Sequence, residues 1–458
     1  MRNRVEAAGV EPDLSARERP LRRARDVLMN VRWVKEAEPE TTEDRRQVEE
    51  TAREIIAAVR ERGEEGLRHY SRLLDKWDPE SFRVDQEEID RAYGAVGTQG
   101  VADIKFVRDQ VRSFAQAQLK ALTPVEVEPH PGITLGHRLV PVGSVGCYVP
   151  GGGYPLIASV HMQVATAKVA GVERVAVCAP PRGATGIWPA TLVAMDVCGA
   201  DEIYCMGGVQ ALAAYAFGTS TIQAVDMITG PGNAYVAEAK KLLFGVVGID
   251  LPAGVTEILI IADAGADPEV VACDLLGQAE HGPTSPAHLV TDSAALADAV
   301  LESLENQLRD LPTRVVAEEA WRRRGAIAVV ADREQMVAYS EEFAPEHLEI
   351  LCEDPAWYHD RLRNYGSIFL GEEATVAYSD KAIGTNHTLP TGRAARYTGG
   401  LWVGKFIKVV TYQRLTREGS RFIGPYAGRI ATMEGMLAHA ATSSIRSRKY
   451  TSAGDGRD

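Results

Sequence analysis

From Val140 onward the apolar residues come in short β-branched runs separated by stretches with helical spacing. The runs Val142 to Val149, Arg174 to Cys178, Glu202 to Tyr204 and Ala224 to Ile228 predict strands, and Val160 to Ala170, Leu192 to Cys198 and Gln210 to Phe217 predict the helices between them. A second block repeats the pattern with Glu257 to Ala262, His288 to Thr291, Ala326 to Val330 and Ser367 to Leu370. Strands alternating with helices are the mark of β-α-β units around a parallel sheet, so two α/β domains are expected. Upstream, Val48, Ala52, Ile55, Ile56, Val59 and Leu67 recur at helical spacing between Thr42 and Tyr70. Residues 1–45 are charged and dotted with proline, which predicts an arm or extension, with a solvated helix where Arg17 to Arg25 mixes bases with acids.

A chain of 458 residues is too long for one ordinary core, which agrees with at least two domains. It has no apolar run near the roughly 20 residues that span a bilayer and no apolar h-region at its start, so no membrane and a cytoplasmic location are expected. The net charge of -13 argues against a nucleic-acid partner, which needs a clustered basic face. Cys147, Cys178, Cys198, Cys205, Cys273 and Cys352 are scattered without a C-x-x-C pair. Reduced thiols are expected, with neither a disulfide frame nor a thiolate metal site.

Candidate chemistry gathers in five short segments. Gly277-Gln278-Ala279-Glu280-His281 sets Gln and His three apart, on one face if the segment is helical, and looks like half of a metal site. Asp380 and His387 lie in Ser379-Asp380-Lys381-Ala382-Ile383-Gly384-Thr385-Asn386-His387, and Glu434 and His439 lie in Glu434-Gly435-Met436-Leu437-Ala438-His439. Ala344-Pro345-Glu346-His347 puts a carboxylate beside an imidazole; taken alone it reads as a helix's first turn, where an acid suits the dipole. Gly230-Pro231-Gly232-Asn233 stands between an apolar run and a helical segment, a turn that lets backbone amides approach phosphate although it lacks the full G-x-G-x-x-G. A lone Gln-x-x-His is more often a solvated helix face; the coincidence of all these segments favours chemistry.

Together, over roughly residues 45 to 445, these segments resemble the histidinol dehydrogenase family, zinc-dependent enzymes that oxidise an alcohol to a carboxylate in two NAD-linked steps. The resemblance implies Gln278, His281, Asp380 and His439 as metal ligands, an N/O set that suits Zn2+ and leaves Mn or Co open. It implies Glu346 and His347 as the catalytic pair. An imidazole with a pKa near 6.5 can take the hydroxyl proton as hydride leaves, and the carboxylate can activate water for the aldehyde step. NAD contacts fall on Tyr148, Gln210 and Asn233, and substrate contacts on Thr256, Gln278, His281, His347, Asp380, His387 and Glu434. The implied architecture is two Rossmann-like parallel-sheet domains plus an N-terminal arm (1–45) and a C-terminal helical tail (406–458). One domain is discontinuous (46–147 and 256–405) and carries the metal and catalytic residues; the other (148–255) is inserted and binds NAD. The tail is implied to cross a homodimer.

Within the family, three stretches look like the sulfopropanediol 3-dehydrogenase branch, which oxidises 2,3-dihydroxypropane-1-sulfonate to sulfolactate: Gly146 to Leu156, Ser159 to Met162 and Ala395 to Phe406. Thr256 stands where the histidinol enzyme usually has Ser, and Lys381 where an aromatic is common. A lysine at the substrate site opposes the cationic amine of histidinol and favours an anion, with Arg393 and Arg396 as further cations behind it. Against this, Gly153 replaces the Arg of that branch, Ala344-Pro345 is histidinol-like, and a lysine by default points to solvent. Sulfopropanediol is therefore the leading expectation, followed by L-histidinol and other polyols or amino alcohols. A silent binding homologue is the alternative of a different class, disfavoured by the intact Glu346-His347 pair and ligand set.

Overall fold

The computed structural model describes residues 31–38 and 42–451, so the expected helix near Arg17 to Arg25 lies outside the described residues. Two parallel sheets dominate. The first runs β6-β5-β4-β7-β8, from Ser144–Tyr148 (β4), Arg174–Ala179 (β5), Glu202–Cys205 (β6), Met227–Thr229 (β7) and Gly248–Ile249 (β8). Its chain steps outward from β4 to β6, then crosses back to β7, which makes the gap between β4 and β7 a topological switch point. Such crevices, outside the carboxyl ends of the strands, are where ligands bind in open α/β sheets.

The second sheet runs β1-β11-β10-β9-β12-β13. It contains Arg32–Lys35 (β1), Ile258–Ala262 (β9), Ala287–Thr291 (β10), Gly325–Val329 (β11), His347–Leu351 (β12) and Ser367–Leu370 (β13). Its pairs are parallel except β1 against β11. Every residue of β9 is fully enclosed, as expected for a strand covered on both faces.

Packing corrects the expected division of the chain. Residues 46–147 were expected with the second sheet, yet the helix Thr42–Arg62 packs on the helices Gly208–Phe217 and Ala234–Leu243, and the helix Gln86–Lys120 on Pro189–Cys198. Ala52 and Ile55 are buried with Val209 and Ala239, and Ile89, Ile104 and Val111 share a core with Val145 and Val177. These helices cover the first sheet because that is where their apolar faces find partners. Conversely, β1 falls inside the expected arm and extends the second sheet.

A third, antiparallel sheet joins Val125–His130 (β2), Ile133–Pro141 (β3) and Ile407–Leu415 (β14) in the order β14-β3-β2. The tail expected to be helical over 406–458 thus opens with a strand and then continues as two packed helices, Arg417–Met433 and Leu437–Thr451. The tail exposes large apolar side chains, among them Val409, Phe422, Tyr426, Ile430 and Met433. Among the described residues no helix is long and apolar enough to cross a membrane.

One buried ion pair fixes the turn after β7. Lys240 and Asp250 have fully enclosed side chains in contact with each other. Lys240 Nζ donates to the Gly230 carbonyl at 2.7 Å, and Asp250 accepts from the Gly230 amide at 2.8 Å and the Leu251 amide at 2.7 Å. Both backbone groups of Gly230 are therefore held by one pair of opposite charges.

Candidate active site

The two main sheets face each other across a cavity of about 760 Å³, within the usual size range of ligand pockets. The first sheet presents its carboxyl ends: Tyr148 closes β4, and Pro231, Gly232 and Asn233 follow β7. The second presents its amino ends: Thr256 precedes β9, and Glu346 and His347 open β12. Glu346-His347 is accordingly the entry to a strand rather than a helix turn. Ala344, just before it, is held at φ 53°, a left-handed conformation costly to a residue with a Cβ.

His347 is buried and its ring orientation is fixed. Nδ1 lies 3.0 Å from the Glu257 carbonyl, which can only accept, so Nδ1 carries the proton and Nε2 keeps a lone pair. Nε2 is buried with no hydrogen-bond partner, 3.8 Å from Asp380 Oδ1. Burial lowers the pKa of His347, against the pull of Asp380, which favours this neutral form.

Glu346 Oε2 accepts from Thr256 Oγ1 at 2.6 Å and from the Glu257 amide at 3.0 Å. Thr256 Oγ1 in turn accepts from Gln278 Nε2 at 2.6 Å. Thr256, expected to touch substrate, lines the cavity but spends its hydroxyl proton on Glu346. Burial pushes the Glu346 carboxyl well above its ordinary range and makes it a stronger base than a solvated glutamate. Glu257, also buried and pushed up to about 7 by burial, holds both His347 and the Gly392 amide, a supporting role not anticipated from the sequence.

Asp380, at the end of the helix Val376–Lys381, is the charge hub. His281 Nε2 is 3.9 Å away, His387 Nδ1 3.8 Å and Lys381 Nζ 3.4 Å. Burial opposes its charge, but His387, His347, Lys381 and His281 together outweigh burial and hold the carboxyl below its ordinary value. Gln278, near the end of the helix Pro268–Ala279, and His281, two residues beyond it, flank Asp380 in an adjoining cavity of about 500 Å³. Because Gln278 uses Nε2 on Thr256, its Oε1 remains as the donor for a cation.

The expected ligand set is only partly assembled. Among the described residues no group of three or more His, Cys, Asp or Glu is placed to hold a metal. His281 and Asp380 come together with the amide Gln278, while His439 stands elsewhere. His439 and Glu434 are exposed on the tail and line neither cavity. Gln278, His281 and Asp380 still make an imidazole, amide and carboxylate set without thiolate, which fits zinc.

His387 lines the cavity with both ring nitrogens engaged, Nδ1 with the Asp380 carbonyl at 2.9 Å and Nε2 with Ser159 Oγ at 3.0 Å. Its reach toward a substrate therefore passes through Ser159, which sequence reasoning left without a role. On the opposite wall, Asn233 Oδ1 caps the helix Ala234–Leu243 through the Val236 amide. Gly230 has φ +119°, and a Cβ there would meet the Tyr148 carbonyl at 2.1 Å, so only glycine lets this turn close on β4. Gln210 is buried and donates to Asp75 Oδ2 at 2.9 Å. Arg393 and Arg396, expected behind Lys381, are instead paired with Glu342 and line neither cavity.

Two facing sheets place a base, two acids and a glycine turn at one cleft, and comparison with known proteins gives the class. The histidinol dehydrogenase family profile matches residues 38–447, and the chain belongs to that family. A histidinol dehydrogenase homolog of Shouchella clausii is 53% identical over 90% of this chain and 97% of its own. The sulfopropanediol 3-dehydrogenase of Ruegeria pomeroyi is 47% identical over 92% of this chain and 97% of its own. The crystal structure of histidinol dehydrogenase from Elizabethkingia anophelis superposes with a TM-score of 0.84 at 34% identity, covering 94% of this chain and 97% of that one.

Proposed function

We propose that this chain is a zinc-dependent NAD+ oxidoreductase that carries a small primary alcohol to a carboxylate in two hydride transfers through a bound aldehyde. The observation that carries the reading is the buried Nε2 of His347 at the cavity, a neutral base with no hydrogen-bond partner among the described residues. When bound, zinc would polarise the substrate oxygen and NAD+ would accept hydride. His347 takes the hydroxyl proton in the first step, its ring held by the Glu257 carbonyl. Glu346 takes a proton from the attacking water in the second, supported by Thr256 and the Glu257 amide. Gln278, His281 and Asp380 would hold the zinc, and Tyr148, Gln210 and Asn233 the cofactor.

His439 and Glu434 complete this reading only if a second copy of the chain brings them to the cleft. The exposed apolar side chains of the tail support a homodimer in which that exchange occurs.

For substrate we infer an anionic diol, 2,3-dihydroxypropane-1-sulfonate. Among the described residues Lys381 is the one Lys or Arg lining either cavity, and it adjoins Asp380. The name of the Ruegeria pomeroyi relative points the same way. Lys381→Met then raises KM for this diol roughly tenfold or more while KM for NAD+ stays put, since a charge-assisted contact is worth about 1.5–3 kcal/mol. Steady-state kinetics on the diol and on L-histidinol decide the substrate. A higher kcat/KM on L-histidinol would reassign the chain to that alcohol.

A further inference from the structure

Asp75 ends the π-helical turn Ser71–Asp75 and stands half-buried in the wall of the main cavity. Its Oδ2 accepts a hydrogen bond from Gln210 Nε2 at 2.9 Å, which leaves Oδ1 as a second acceptor. Gln210 is fully buried and its Oε1 has no hydrogen-bond partner. This part of the cavity thus holds two side chains, each with an acceptor oxygen left over, locked together by the Gln210 Nε2 to Asp75 Oδ2 hydrogen bond. A buried acceptor left unpaired is unfavourable by about 1–3 kcal/mol, so the arrangement calls for a ligand that donates.

A ribose cis-diol presents two O–H donors on adjacent carbons. A ribose 2′-phosphate replaces one of those donors with oxygens that only accept and adds negative charge. The charges in the cavity separate the two cases. Among the described lining residues Lys381 is the one Lys or Arg, and it belongs to the second sheet beside Asp380, whereas Asp75 and Gln210 belong to the layers of the first. On the first-sheet side a 2′-phosphate would meet a carboxylate and an amide oxygen, with no Lys or Arg among the described lining residues beside them.

The origin of the acid is unusual. In doubly wound dinucleotide sites the acid that binds ribose lies about 20 residues beyond the glycine turn. Here the glycine turn follows β7, and the carboxylate in the wall beside Gln210 comes from far upstream, before the first strand of the sheet. No sequence motif announces it.

We propose that Asp75 and Gln210 together bind the ribose diol of the dinucleotide and make the site reject NADP+. The inference rests on the reading of this cavity as a dinucleotide site. Fluorescence titration of the full chain with NADH and NADPH, without turnover, tests it. The wild type is expected to bind NADH more tightly. Asp75→Ala weakens NADH roughly tenfold or more and, because it removes the carboxylate, does not weaken NADPH, so that the ratio collapses. Asp75→Asn keeps an acceptor for Gln210 and removes only the charge, which makes it the variant least disturbing to the fold, and it gains affinity for NADPH. An unchanged NADH to NADPH ratio in folded Asp75→Asn, or equal binding of the two by the wild type, overturns the inference and leaves the dinucleotide site standing. A wild type that binds neither overturns the dinucleotide reading itself.

Discussion

Replacing His347 with Asn lowers kcat for alcohol oxidation by on the order of 10²- to 10⁴-fold, the usual contribution of a positioned proton acceptor, with little change in KM for the alcohol. Asn can still donate to the Glu257 carbonyl as Nδ1 does, so the loss isolates the missing lone pair at Nε2. Glu346→Gln provides the contrast. Its amide oxygen can still accept from Thr256 and from the Glu257 amide, but it cannot take a proton from water. With aldehyde supplied directly, the Glu346 variant is slow and the His347 variant is much less affected. A Glu346→Gln protein that oxidises aldehyde at the wild-type rate would remove Glu346 from the second step.

His281→Ala is expected to abolish turnover and lower zinc affinity sharply, since it deletes one of the four proposed donors. The side chain is partly exposed and stands beyond the end of its helix, so circular dichroism and the thermal transition should be nearly those of the wild type. His439→Ala has the same consequence for zinc although the residue is remote from the cleft in its own chain. Metal analysis after mild chelation and zinc addition, paired with activity, reads both variants. Full activity in rigorously metal-free wild-type protein would rule the metal out of the reaction.

The parallel sheets were legible because their strands are covered on both faces and so read as continuous β-branched runs, as in Ile258-Leu259-Ile260-Ile261-Ala262. β12 was not, since its run His347-Leu348-Glu349-Ile350-Leu351 contains the fully buried Glu349, which breaks the apolar signal. The antiparallel sheet was missed for another reason: β2 is exposed along its whole length and β14 nearly so, and neither shows a buried face to read. Helical periodicity located the face of Thr42–Arg62 but not its partner, which is why the segment was assigned to the wrong sheet. In the site, Gln278, His281, Glu346, His347 and Asp380 were found through motifs. Asp75 and Glu257 carry no motif, Ser159 stood in a branch-like stretch without a role, and only folding brings the three beside the residues that were found.

The ion pair around Gly230 also constrains how this chain can vary. Removing either partner leaves the other charged and out of water, a loss on the order of 3–5 kcal/mol, whereas exchanging both for apolar groups of matching shape can be nearly neutral. Lys240 and Asp250 are therefore strongly epistatic: each single change passes through a destabilised intermediate, and the viable route between the charged and apolar forms is a concerted one. Since both backbone groups of Gly230 lean on the pair, that route must also leave the turn beside the cleft with new partners for its amide and carbonyl.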